Sequence, residues 1–182
     1  MREPAWLDLA ASRVAQGEEE GAADLVYHVT YYRNLDSIAS DGLSPGAGSA
    51  MGRGGYSGHS QGRLFMTEEA GVRFWFGRME DHASDLSDDP LEDGFVPVVL
   101  RFPEPEGTEE DEPGSRDALA ASLFSEEGVG PDGVELWDGS SWVPVSDWES
   151  VDPSESFDVE EDEDGEELRW FKDVGRNPLF PG

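Results

Sequence analysis

The stretch 25–45, LVYHVTYYRNLDSIASDGLSP, sets a histidine in the middle of an apolar, β-branched run. Two roles are open to His28: a core residue with a backbone partner, or a group that holds a ligand through a ring nitrogen. A lone histidine on a strand more often has the first. Charge weighs on the other side. From Leu25 to Met79 the chain carries Arg33, Arg53, Arg63, Arg73 and Arg78 against Asp36, Asp41, Glu68 and Glu69, a net +1, while all other residues together carry −31. A chain saturated with carboxylates elsewhere keeps the segment around His28 near neutral, as capture of an anionic ligand such as a pyrophosphate requires. Arg53 within the glycine-rich stretch 44–62 and Arg63 just after it carry the guanidiniums best placed for phosphate oxygens.

Several other chemistries fail on spacing. The glycine-rich stretch does not end in Gly-Lys-Ser/Thr, so it is no Walker loop, and it lacks the Rossmann fingerprint. No Gly-x-Ser-x-Gly elbow supplies a serine nucleophile. His82 stands near Glu80, Asp81 and Asp85, but one histidine among helix-surface acids is not a metal set. His59, among the glycines, reads as exposed and silent.

The elements that must position these residues are short and mixed. DLVYHVT (24–30) has the content of a strand. RNLDSIASDGL puts Leu35 and Ile38 on one helical face and Gly42 at the C-cap, with Leu43 closing it. After the glycine-rich loop, RLFMT is a short strand. Thr67 then caps a helix with Glu68 and Glu69 in its first turn and a stripe of Val72, Trp75, Phe76 and Met79. FVPVVLRF is a central strand starting at Val98, RDALAASLF a short helix, and GVELWDGSSWVPV a hairpin about an Asp-Gly turn. EPAWLDLAASRVAQ, near the N-terminus, is an amphipathic helix. DVEEDEDGEE is a solvated or disordered run.

Composition narrows the partners. The 182 residues hold 42 Asp and Glu against 12 Lys and Arg, a net charge of −30, and Lys172 is the sole lysine. Such a charge repels phosphate backbones and makes direct nucleic-acid binding improbable. It fits adaptation to high salt, or a decoy whose acidic face imitates DNA. The absence of cysteine excludes disulfides and thiolate metal sites. Without a signal-peptide pattern or a long apolar run, a cytoplasmic protein that does not enter a membrane is expected.

Three segments in order, YHVT, then NLDSIASDGLSP, then GRLFMTEEAGVRFW, resemble the ADP-ribosyltransferase fold, in particular its diphtheria-toxin and poly(ADP-ribose) polymerase branch. The resemblance covers roughly residues 24–80 and extends to the related RNA 2′-phosphotransferases of His-x-Thr type. It implies a split β-sheet core for the α+β domain over 24–151 that the mixed element order predicts, preceded by the helical extension over 1–23 and followed by the acidic tail over 152–182. It further implies NAD as cofactor and transfer of ADP-ribose to a macromolecular acceptor, expected to be a protein.

By that resemblance His28 would bond the adenosine ribose, the backbone around Val29 would hold the nicotinamide amide, and Thr30 would support the strand. Phe65 and Trp75 would pack the nicotinamide ring, with Leu64 standing where the family has its first tyrosine and Val29 where it has glycine. The carboxylate facing the developing cation would be Glu135, or else Asp132. The rival readings are a non-enzymatic binder or DNA mimic on a degenerate transferase fold, and a phosphotransferase relative, for which so acidic a chain is a poor host of RNA.

Overall fold

The computed structural model describes residues 24–46, 62–111 and 122–153, and the backbone of two strands in the tail. The expected N-terminal helix, Arg53 and His59 lie outside the described residues. The elements are β1 (Leu25–Tyr31), α1 (Leu35–Asp41), β2 (Leu64–Met66), α2 (Val72–Leu86), β3 (Pro97–Pro103), β4 (Glu109–Glu110), β5 (Leu123–Ser125), β6 (Glu135–Trp137), β7 (Trp142–Pro144), β8 (Phe157–Glu161) and β9 (Glu167–Phe171). Helices and antiparallel sheets alternate irregularly along the chain, an α+β arrangement.

Strands β1-β3-β6-β7 form one antiparallel sheet and β2-β5-β4 a second. Because successive residues of a strand point to opposite faces, the register sorts the core. Val26, Val98, Leu100, Phe102 and Leu136 line one face, and α1 (Leu35, Ile38) and the inner side of the small sheet (Leu64, Met66, Leu123) cover it. Tyr27, Val29, Val99 and Trp137 line the other, where Val72 and Phe76 of α2 pack. Leu35, Leu100, Leu123 and Leu136 are fully excluded from solvent; each such burial stabilises by about 1.5–3 kcal/mol.

Four expectations need correction. The 3-10 turn Glu69–Gly71 precedes α2, whose N-cap is Gly71, so Thr67 makes no cap. The buried stripe of α2 is Val72, Phe76, Met79 and Ala83. Trp75 is about 60° round the helix from Val72 and only half-buried, on the flank of that stripe. Leu123 and Phe124, read as the end of a helix, are strand residues held between β2 and β4. In the acidic tail, β8 and β9 pair antiparallel from Phe157↔Phe171 to Glu161↔Glu167, where no regular structure was expected.

Gly42 ends α1 as the sequence predicts, with φ 78° and its N–H bonded to Ile38 O. It also lets Leu43 bridge Val129, since a Cβ at Gly42 would stand 2.1 Å from the Val129 carbonyl oxygen. Gly42→Ala therefore combines a left-handed backbone penalty with a collision against rigid main chain. A loss of at least about 2 kcal/mol is expected, read as a lower urea midpoint.

Candidate functional site

The two sheets meet at one rung. Tyr27 and Thr67 exchange both backbone hydrogen bonds, each at 2.8 Å. Continuing that antiparallel register would pair Val29 with Phe65. This rung is not made: His28 Nδ1 donates to Phe65 O at 2.8 Å, so the imidazole takes the carbonyl that a β1 amide would have taken. Alternation along β1 turns the N–H and C=O of Val29 outward like those of Tyr27, toward the gap. No described residue bonds either group, and β1 is the edge strand of its sheet there.

His28 is half-buried, but its ring lies deep enough that desolvation lowers its pKa below the ordinary 6.5, the bond to Phe65 opposing only in part. Donation to a carbonyl fixes the proton on Nδ1 and leaves Nε2 a lone-pair acceptor in the neutral ring. Thr30, on the same face, is buried and accepts from Asn34 Nδ2 at 3.0 Å, tying the end of β1 to the chain entering α1. The structure thus brings His28, the Val29 backbone and the Phe65 carbonyl to one gap, with Thr30 one residue further along β1 and held by Asn34.

Other expected residues stand elsewhere. The Phe65 side chain points away from the inter-sheet core, beside Phe124 at 6.3 Å between centroids. Arg63 lies over that Phe124 ring, 3.8 Å from its centroid, rather than reaching free into solvent. Trp75 stacks edge-on against the exposed Phe74 on α2. Asp132 is exposed on the 3-10 turn Pro131–Gly133, lining a shallow depression with Glu104 and Glu127 at the Leu25 end of β1.

Glu135 shares a row with Arg101 and Tyr27 across β6, β3 and β1, on the sheet face opposite His28. There Arg101 Nε donates to Glu135 Oε2 at 2.6 Å, with the guanidinium 4.5 Å from the centroid of the Trp142 ring. Tyr27 and Trp137 close the cluster against Trp142. Sequence reading missed this row: nothing local marks Arg101 or Tyr27, and only the strand register joins them. It also passed over Glu69, whose charge acts on the buried Tyr27 hydroxyl. Among the described residues no group of His, Cys, Asp and Glu could hold a metal ion, and no helix is long and apolar enough to cross a membrane. Comparison with protein-family models, with curated proteins and with solved structures finds no match to this chain.

Two consequences are measurable. The folded state binds the His28 proton less readily than the unfolded chain, so protonation favours unfolding. Its contribution to stability is present above about pH 7 and falls as pH drops through the unfolded value of 6.5; His28→Gln should flatten the pH dependence of the urea midpoint in that window. Glu135→Gln weakens a partly exposed ion pair, so a loss of only about 0.5–1 kcal/mol is expected from the same unfolding curves.

Proposed function

We propose that the gap between β1 and β2 binds NAD and that the chain is an NAD-dependent ADP-ribosyltransferase acting on a macromolecular acceptor, in keeping with the resemblance of its YHVT, NLDSIASDGL and GRLFMT segments. The observation that carries the reading is the unmade Val29·Phe65 rung. It leaves an outward N–H and C=O on one residue, the complement of a primary carboxamide, which both accepts and donates. Beside them, Nε2 of a neutral His28 accepts a hydroxyl hydrogen, as a ribose supplies. The near-neutral charge of residues 25–79 favours the dinucleotide over the repulsion of a chain at −30. The sheet split at His28 fits the finer fold class that the resemblance implies.

A second reading, a non-enzymatic binding protein on the same scaffold, is favoured by one observation. Glu135 is held by Arg101 on the face opposite His28, and Asp132 is exposed on a turn, so neither stands at the gap.

Titration of the purified chain with NAD, followed by nicotinamide release, at low and high salt, tests both. Saturable binding lost in His28→Ala, by tenfold or more, supports the nucleotide site; nicotinamide release then supports the transferase. Binding without release selects the second reading. No binding at either salt retires the nucleotide site and the transferase with it, and basic protein partners of an acidic decoy become the target.

A further inference from the structure

Helix α2 buries Val72, Phe76, Met79 and Ala83 and turns a second stripe outward. At about 100° per residue, Phe74, Gly77, Arg78, Asp81 and Asp85 share that outer face, at the i, i+3, i+4, i+7, i+11 spacing of a helix that packs. Phe74 is nonetheless 42% exposed, its ring held edge-on to Trp75 at 5.2 Å between centroids. Gly77 stands mid-helix, and a Cβ there would meet no atom within 4 Å among the described residues. Glycine weakens a helix interior, and nothing described in the protomer requires its bareness. Close approach of a second backbone does require it.

Charge on the face is divided. Arg73 and Arg78 lie in the first half of α2, and Glu80, Asp81 and Asp85 lie in the second. The macrodipole favours the reverse, anions toward the N-terminal end and cations toward the C-terminal. Asp85 has His82 Nδ1 at 4.0 Å, yet its side chain stays 84% exposed. A helix face positive at one end and negative at the other is complementary to itself turned antiparallel.

We propose that two copies of this chain form a twofold dimer through the outer faces of antiparallel α2 helices. Arg78 of each protomer meets Asp81 and Asp85 of the other, Phe74 is covered, and Gly77 lets the helix axes approach. A uniformly acidic or basic partner would match only half of the face; a second copy matches both halves. Two chains of −30 repel at long range. The Debye length falls from about 10 Å at 0.1 M to about 3 Å at 1 M, so salt removes that repulsion before it removes the pairs in contact. Association therefore strengthens as salt rises.

Sedimentation velocity of the full chain at about 0.1 M and about 1 M salt reads the dimer. Wild type is expected to dimerise at the higher salt. Arg78→Glu alone, and Asp81→Arg with Asp85→Arg, are each expected to be monomeric where wild type is dimeric, because each would set like charges together twice. Mixing the two variants in equal amounts restores a dimer, since both contacts are then attractive. Phe74→Ser weakens association by at least about tenfold. A dimer that Arg78→Glu leaves intact overturns the proposal, and so does a mixture that stays monomeric. A wild type monomeric at both salts overturns it as well; if Phe74→Ser then also unfolds at lower urea, the face is covered by another segment of the same chain.

Discussion

The architecture turns on a single substitution of partners: an imidazole N–H in place of a backbone N–H at the carbonyl of Phe65. At Tyr27·Thr67 the two sheets share a single rung. One rung later the side chain of His28 holds Phe65, and the strands part. A continuous ladder from β4 to β7 would have satisfied the Val29 N–H and C=O and left no open group there. The split keeps the carbonyl of Phe65 satisfied, as a partly buried acceptor must be, while leaving a donor and an acceptor of Val29 facing outward. Open edge groups are a liability in a soluble sheet. Their persistence on a strand otherwise packed on both faces is the observation on which the proposed nucleotide site rests.

Charge and parity divide the sheet into two working faces. His28 and Thr30 share their face with the apolar core under α1 and the small sheet. Tyr27, Arg101 and Glu135 form a row on the other, where α2 covers Val29 and Val99 but leaves Arg101 and Glu135 partly exposed. In a chain of net −30, a guanidinium stacked on Trp142 and bonded to one carboxylate is a structural clamp for β3, β6 and β7 rather than a free anion receptor.

Local signals in the sequence carried the elements well. Alternation marked β1, the spacing of Leu35 and Ile38 with Gly42 marked α1, and Asp138–Gly139 marked the hairpin, whose Gly139 takes φ 97°. What depended on nonlocal pairing was not legible. Whether Glu135 faces His28 is a question of parity between three strands, and one residue of register decides it. Leu123 and Phe124 sit in a stretch of helical composition, yet their pairing partners on β2 and β4 override it. Trp75 lies about 60° round α2 from Val72, on the flank of a stripe that continues through Phe76, Met79 and Ala83. Of the site, His28 was readable from its setting in a strand. The resemblance gives the Phe65 ring a packing role, and the structure adds a contact from His28 to its backbone carbonyl.

The same reasoning fixes the protonation state of the site. A carbonyl can only accept, so Nδ1 must carry the proton, and the desolvated ring resists a second one. Nε2 therefore stays an acceptor at neutral pH without any carboxylate to orient the ring. A protein that surrounded this histidine with acids would raise its pKa and turn Nε2 into a donor. Placing the Glu135 carboxylate of β6 on the opposite face preserves the acceptor, and the near-neutral composition of residues 25–79 extends that protection along the chain. The excess of acid elsewhere and its scarcity around His28 are two sides of one constraint.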